Sequence, residues 1–429
     1  MTISFNDDDR ISRLPDDILV DILSLLRPDK AARTSVLSSR WINLWKHTPS
    51  LHFNGSLKFE QRKCVKMVNS VIQSHKSPTL KKFRITFPLD RPDSTNLLTR
   101  WLEFAFFRQV EILEFDFHIY HDCLPQRHFP EVYNIAPRSS TLSEFKSLKS
   151  LSFKGVNVSG RAIEFLLRNC PRLEQLIVSH SQDKTSKIEV CGSSLVLKHL
   201  KIAYCSALES LKISAPSLTS LGLTSLEGVL LENVPMLVDV SVNCDYYSPI
   251  SIKKLFSVTS RCISQLETLK LGMLWFPTRK GNDELGTFPQ MPKLKKLFIE
   301  YGPFDEATVT TLAYFTSASP YLQEFVLENK YKNAKPENIR MDDVAASGRF
   351  RHEHIKVFKF RGYHGRPIDD AIVACVLENF VVLEKIIIDP SGVSSLDIFS
   401  RLETEKTARE SAKQHLQPQL PHRVELVIL

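Results

Sequence analysis

"LKHLKIAYCSALESLKISAPSLTSLGL", residues 197–223, contains one short phrase three times: apolar, two variable positions, apolar, one variable position, apolar. The phrase occurs fourteen times in all, beginning at residues 80, 110, 148, 173, 197, 208, 218, 226, 237, 266, 294, 322, 355 and 383. Its last residues alternate, which is a strand signal: positions 4 and 6 share one side, positions 3, 5 and 7 the other. Most copies are 24 to 38 residues apart, room for a strand, a turn and a short helix. Between 197 and 237 the interval falls to about ten. No helix fits there, so those rungs are expected to return by tight turns.

The intervening segments fit this plan. In "VSGRAIEFLLRNCPRL", Ser159 is placed to cap a helix with Ile163, Leu166 and Leu167 on one face, ending at Asn169 before Pro171. "FDEATVTTLAYFTSASPYL" repeats the plan, with Asp305 as cap and Pro320 as stop. Pro171, Pro216, Pro235, Pro292 and Pro320 each stand two residues before a repeat, where a fixed φ ends the preceding segment. The whole resembles an irregular leucine-rich-repeat solenoid. A single repeat cannot bury its own apolar face, so many must stack, leaving an extended concave sheet open. Leu176, Val178, Leu269, Leu271, Leu297 and Ile299 are then expected in the core. An ordinary packed α/β domain is the rival, but its parallel sheet does not need fourteen short strands.

Composition bounds the rest. At 429 residues and 43% hydrophobic the chain can bury a large core. Its net charge of +8, from 56 Lys and Arg against 48 Asp and Glu, is spread along the chain rather than gathered in a basic tail, which makes nucleic acid an unlikely partner. The eight cysteines (64, 123, 170, 191, 205, 244, 262 and 375) form no C-x-x-C pair, so a reducing compartment is expected, cytoplasmic, nuclear or both. The start, MTISFNDDDR, has no apolar leader, and no window reaches the ~20 apolar residues of a membrane helix.

Residues 9–47 lie outside the repeat. Ile18, Leu19, Ile22, Leu23 and Leu26 have the spacing of an amphipathic helix that Pro28 is expected to terminate. Asp29 can cap a second helix carrying Ala31, Ala32, Thr34, Val36 and Leu37, and a third would align Trp41, Leu44 and Trp45. Three helices this short bury too little to be comfortable alone, and Leu14 and Pro15 precede them on an exposed apolar edge. Such a stretch needs a partner to finish it. "DRISRLPDDILVDILSLL" followed by "ARTSVLSSRWINLW" closely resembles the F-box, in the version found in the large plant family of F-box proteins with leucine-rich repeats.

The resemblance implies docking on a Skp-type adaptor, which joins the chain to a cullin scaffold and a RING protein in an SCF ubiquitin ligase. The adaptor-binding residues carried over are Leu14, Pro15, Ile18, Leu19, Ile22, Leu23, Val36, Leu37, Trp41 and Trp45. Near the other end, "HIKVFKFRGYHGRPIDDAIVACVLENFVVLEKIIID", residues 354–389, is similar to the FBD region that follows the repeats in many of these proteins. Its pattern is strand, Gly-Tyr, a helix with Leu377 and Asn379, Leu-Glu-Lys and a second strand; "HGRP" departs from the expected acidic turn. "TARESAKQHLQ" reads as a further helix and "HRVELVIL" as a last strand.

The fold class is thus α/β: a short three-helix F-box (9–55), an irregular leucine-rich-repeat solenoid (56–345) and an FBD region (346–429) continuing or capping it. Catalytic machinery is not expected. The 14 glycines form no G-x-G, and G-x-S-x-G and H-E-x-x-H are both missing. "HIYHDCLPQRH" offers His118, His121, Asp122, Cys123 and His128, but in no recognised zinc spacing, and "HEH" at 352–354 is weaker still; no metal or cofactor is expected. The function implied is a non-catalytic substrate receptor of a ubiquitin ligase holding an unknown protein target, with a repeat protein lacking any ligase link as the alternative. Positions 3, 5 and 7 give Ile177, His199, Lys201, Lys212, Lys270, Phe298 and Val326 as candidate target contacts.

Overall fold

The computed structural model describes residues 11, 13–55, 61–89, 94–117, 133–135, 145–181, 187–205, 207–243, 251–274, 288–301, 306–329, 351–391 and 398–429. They fall into two compact units, Met1–Leu211 and Lys212–Leu429. The first unit begins with helices α1 (Asp16–Ser24) and α2 (Pro28–Arg33). It continues through β1 (Ser50–Asn54), α3 (Gln61–Ser74), β2 (Lys82–Thr86), α4 (Ser94–Phe107) and β3 (Ile112–Asp116). Then come β4 (Tyr133–Ile135), β5 (Ser150–Lys154), β6 (Val156–Val158), α5 (Gly160–Asn169), β7 (Gln175–Ser179), β8 (Lys187–Cys191) and β9 (His199–Ala203). Strands β1, β2, β3, β5, β7 and β9 pair in that order, all parallel, while β4 pairs with β6.

In the second unit, β10 (Ser210–Ser214) starts at the boundary, followed by β11 (Ser220–Leu223), β12 (Val229–Leu231), β13 (Asp239–Asn243), α6 (Ile252–Thr259) and β14 (Thr268–Leu274). Next are β15 (Lys296–Tyr301), α7 (Glu306–Ser317), β16 (Glu324–Asn329), β17 (Val357–Arg361), α8 (Pro367–Asn379), β18 (Lys385–Asp389), α9 (Ile398–Ser411) and β19 (Glu425–Ile428). Strands β11 and β13 to β19 form a parallel ladder in chain order. Both units are leucine-rich-repeat solenoids, and residues 346–429, the stretch expected to be the FBD region, supply the last three strands.

Register explains why. In the first unit Leu51, Phe83, Leu113, Leu151, Leu176 and Leu200 stand side by side on successive strands, and so do Phe53, Ile85, Phe115, Phe153, Val178 and Ile202. All twelve are buried, as are the six core residues expected from the pattern. Position 2 of the repeat closes each turn: the Glu174 carbonyl accepts from both Lys198 and His199, and the Glu267 carbonyl from both Lys295 and Lys296. Side chains there alternate in sign, so Lys149 reaches Glu111 at 2.8 Å, Lys198 reaches Glu174 at 3.0 Å, and Lys295 reaches Glu267 at 2.9 Å. Exposed pairs of this kind contribute under about 1 kcal/mol each and mainly favour the correct register.

Helix α5 begins as expected, with the Ser159 hydroxyl accepting from the Ala162 amide, and buries Ile163, Leu166 and Leu167. Asp305 lies outside the described residues. The closely spaced rungs do not simply turn back. Strands β9, β11 and β13 stay in the long ladders, whereas β10 and β12 pair in a separate small sheet, the Glu232 amide donating to the Ile213 carbonyl. A strand thus takes the place of a helix behind these rungs.

The FBD turn is built on side chains. Gly362 has φ +73°, and a Cβ there would fall 2.1 Å from the Asn329 carbonyl oxygen, so no other residue fits without a shift. Tyr363 is buried and donates to Asp370 at 2.6 Å. Pro367 opens α8, and Arg366 grips the fully buried Asp369, its Nη2 2.8 Å from Oδ1, while the Arg366 amide donates to Oδ2 at 3.1 Å. "HGRP" therefore replaces an acidic turn with a basic cap on an internal acid.

Removing side chains from the buried rows should cost far more than removing surface charges. Leu176→Ala and Leu297→Ala are each expected to lower stability by about 2 to 5 kcal/mol, and Lys198→Ala by under about 1 kcal/mol. Urea unfolding followed by far-UV circular dichroism makes the comparison.

Candidate functional site

The F-box stretch is a small body with two apolar faces. Leu19 and Leu23 on α1 join Ala31, Trp41 and Leu44 in a core, against which Leu14, Val20 and Trp45 pack. Asp16 and Asp17 lie in the first turn of α1, where the helix dipole favours negative charge. The Arg40 guanidinium donates to Asp16 at 2.7 Å and to the Leu14 carbonyl at 2.5 Å, pinning the segment that leads into α1. Two expectations need correction. Helix α1 already ends at Ser24, and Pro28 opens α2 instead of ending α1, with Arg27 rather than Asp29 as its N-cap. In place of a third helix there are two 3-10 turns, Ser39–Ile42 and Leu44–His47, because Asn43 at φ −113° interrupts the helical path.

The second apolar face belongs to the surface. Ile18 and Ile22 lie on the side of α1 away from the core, Leu25 and Leu26 follow just past its end, and Val36, Leu37 and Ile42 are also exposed. Leu25 is 86% and Val36 87% exposed. Of the ten residues carried over as adaptor contacts, Pro15, Ile18, Ile22, Val36 and Leu37 are exposed, and Leu14 and Trp45 half-buried. Leu19, Leu23 and Trp41 are buried and are corrected to core: they shape the surface but cannot form it without unfolding. Leu25, Leu26 and Ile42, not among the ten, are exposed as well, and the run "LSLL" carries more leucines than one helix face can bury. So many large side chains in water on so small a body mark an interaction surface.

The open faces of the two ladders are the second candidate surface. Position 5 of the first unit reads His52, Arg84, Glu114, Ser152, Ile177 and Lys201 across successive strands. Arg84 donates to Glu114 at 2.6 Å, and at position 7 Lys154 meets Asp116 at 3.2 Å. His199 and Lys201 are exposed and Ile177 is half-buried. In the second unit Lys270, Phe298 and Val326 are register neighbours. Lys270 and Phe298 are half-exposed, but Val326 is only 4% exposed and is withdrawn as a contact, its neighbours closing over it. Lys212 lies on β10, in the small sheet, and pairs with Glu232 at 3.1 Å; it is withdrawn too, because the ten-residue spacing places it behind the open face.

The thiols of Cys170 and Cys262 are pushed up by burial, to about 12 and about 11. The cluster His118, His121, Asp122, Cys123 and His128 lies outside the described residues, and among the described residues no group of three or more His, Cys, Asp or Glu side chains could hold a metal. Nor is any helix among them long and apolar enough to cross a membrane. The first histidine of "HEH" ties backbone segments together. Its ring, that of His352, bonds the Ser319 carbonyl through Nε2 at 3.0 Å and accepts the His354 and Ile355 amides at Nδ1.

A small helical body with an uncovered apolar face, followed by leucine-rich repeats, is the build of an F-box protein of the leucine-rich-repeat class. Comparison with known sequences agrees. The F-box domain profile matches residues 11–53, and a profile described as the At1g61320/AtMIF1 LRR domain matches residues 71–427. In Arabidopsis thaliana, FBD-associated F-box protein At5g38590 is 27% identical over 97% of this chain and 100% of its own length. F-box/LRR-repeat protein At3g03360 is 29% identical over 68% of this chain and 65% of itself. F-box/FBD/LRR-repeat protein At3g51530 is 32% identical over 55% of each. The chain spans 57% and 65% of the length of two such relatives and the whole of another. It belongs to the plant family of F-box proteins with leucine-rich repeats and an FBD region.

Two buried histidines set an acid limit on the scaffold. His75, bonded to the Thr48 carbonyl at 2.9 Å, and His352 both have pKa values lowered from 6.5, chiefly by burial. The unfolded chain therefore binds protons first as pH falls below the ordinary imidazole value, and native stability declines through that window. Urea midpoints measured between about pH 7.5 and 5 should fall, and less steeply in His352→Gln than in the parent chain.

Proposed function

We propose that the chain is a substrate-receptor subunit of an SCF-type cullin–RING ubiquitin ligase. The F-box docks on a Skp-type adaptor, and through it on a cullin scaffold and a RING protein. The observation that carries this reading is the apolar surface of Ile18 and Ile22 on α1 and Leu25 and Leu26 just past it, left uncovered together with Val36 and Leu37 on a body with a five-residue core. Burial of a few large anchors supplies most of the affinity in such an interface. Arg40 and the buried Leu19, Leu23 and Trp41 hold that face in shape.

The three parts divide the work: residues 9–55 hold the adaptor, while residues 56–345 and 346–429 hold a protein target. Ile177, His199, Lys201, Lys270 and Phe298 on the open faces are the contacts proposed for it. No residue of this chain then needs to do chemistry, because holding a target beside a ubiquitin-charged enzyme supplies the rate enhancement through proximity. Cytoplasm or nucleus is the compartment proposed, in keeping with the free cysteines 170, 205, 262 and 375.

The test is co-purification with a Skp-type adaptor. Val36→Ala with Leu37→Ala removes exposed side chains, so thermal stability should stay near that of the parent. Adaptor capture should fall by about tenfold or more, given ~2 kcal/mol for a buried anchor. Undiminished capture would overturn the docking surface; no capture by the parent chain would leave a repeat protein without a ligase link.

A further inference from the structure

The open face of the first unit carries charge and hydrogen-bonding capacity that its own residues leave unused. Along position 5 and position 7 of that face Arg84 is matched by Glu114 and Lys154 by Asp116, while Lys82 stands at position 3 of β2, away from β9. Lys201, at position 5 of β9, has no acid within ion-pair distance among the described residues. Partial burial, and then the like charge of Lys154, lower its pKa. An ammonium held beside another ammonium gains most from a carboxylate brought in from outside.

Ser152 adds an independent sign. It lies at position 5 of β5, directly beside Ile177 of β7, which in turn is beside Lys201. The alternation sends Leu151 and Phe153 into the core and Ser152 toward the open face, yet Ser152 is only 6% exposed and its hydroxyl has no hydrogen-bond partner among the described residues. A buried hydroxyl left unsatisfied costs stability, whereas an alanine there would cost none of it. Its retention fits a donor waiting for an acceptor.

Backbone strain marks the same place. The residue after each of β5, β7 and β9 turns left-handed: Gly155 at φ +67°, His180 at +56° and Tyr204 at +53°. Glycine adopts this freely, but His180 and Tyr204 cost roughly 1 kcal/mol or more each. Their rings stack at 4.7 Å and 18°, a flat shelf at the carboxyl ends of β7 and β9, His180 three residues beyond Ile177 and Tyr204 three beyond Lys201. Observed strain of this kind is a pointer to function.

We propose that this face binds an extended acidic segment of the protein target, a carboxylate side chain sitting between Lys201 and Ser152 while adjoining residues lie on Ile177 and the His180–Tyr204 shelf. This rests on the receptor reading above and names the class of target. Charge selects the segment, and the apolar and aromatic surfaces supply contact area.

A displayed library of random decapeptides, selected on the full chain purified with its adaptor, tests it. Peptides rich in Asp and Glu should be enriched, and the best of them should lose about tenfold or more in affinity on Lys201→Gln, as expected for a charge-assisted bond. Lys201→Glu should select basic peptides instead. Ser152→Ala should weaken acidic peptides while leaving thermal stability unchanged or higher, a combination that a merely structural serine would not give. No acidic enrichment, equal affinity for the Asn and Gln versions of the peptides, unchanged affinity on Lys201→Gln, or equal competition by single-stranded RNA would each overturn the proposal. Adaptor capture, read in the same preparations, reports separately on the receptor reading: its loss with acidic selection intact would sink the ligase role and spare this site.

Discussion

Everything in this molecule depends on keeping the parallel ladders in register. Because side chains alternate across a strand, a slip of one residue would exchange core and surface along a whole rung. Three features of each repeat guard against that slip: the apolar pair at positions 4 and 6, the position-2 carbonyl that accepts two amides from the next rung, and the alternating charges around it. The first supplies most of the stability. The others supply uniqueness, since a one-residue slip of β9 on β7 would take Lys198 from Glu174 to Leu173 or Gln175. With the register fixed, positions 3, 5 and 7 become a surface whose composition can vary without disturbing the scaffold.

The F-box faces the opposite constraint, having too few residues to be generous with burial. Its core takes one face of α1 and part of the two 3-10 turns, and Arg40 adds polar crosslinks where apolar area runs out. The remaining leucines and isoleucines stay in water until a partner covers them. Under the proposed function the F-box presents its apolar surface to the adaptor, while the repeats present a separate surface of mixed charge and apolar groups to the target.

Much of this was legible in the sequence. The repeat fixed the strands, their phase and the buried rows, because a period of two over many copies leaves no other assignment. Ser159 was legible as a cap because capping demands a particular residue type, whereas Gly362-Tyr363 entered only with the FBD resemblance and its positive φ came from the structure. What escaped was of two kinds. Pro28 signals both the end of one helix and the start of the next, and only the chain geometry decides between them. Val326, Leu19 and Trp41 match their motifs but are buried by neighbours distant in sequence, and Lys212 matches its motif on a strand that leaves the long ladder for the small sheet. The charge alternation at position 2, Glu111, Lys149, Glu174 and Lys198, was visible in principle, but it acquires meaning only once those residues are known to be adjacent.

The strand that replaces a helix behind the short rungs has a consequence for how this architecture can vary in evolution. A rung backed by a helix is hydrogen-bonded to its neighbours on one side only, and its other side is held by side-chain packing that tolerates a longer or shorter loop. A rung backed by a strand such as β10 or β12 is bonded through two ladders at once. Inserting a single residue there would force a frame conflict in one ladder or the other. Gene-length variation should therefore accumulate in the helix-backed repeats, while the strand-backed stretch behaves as a fixed ruler of constant length.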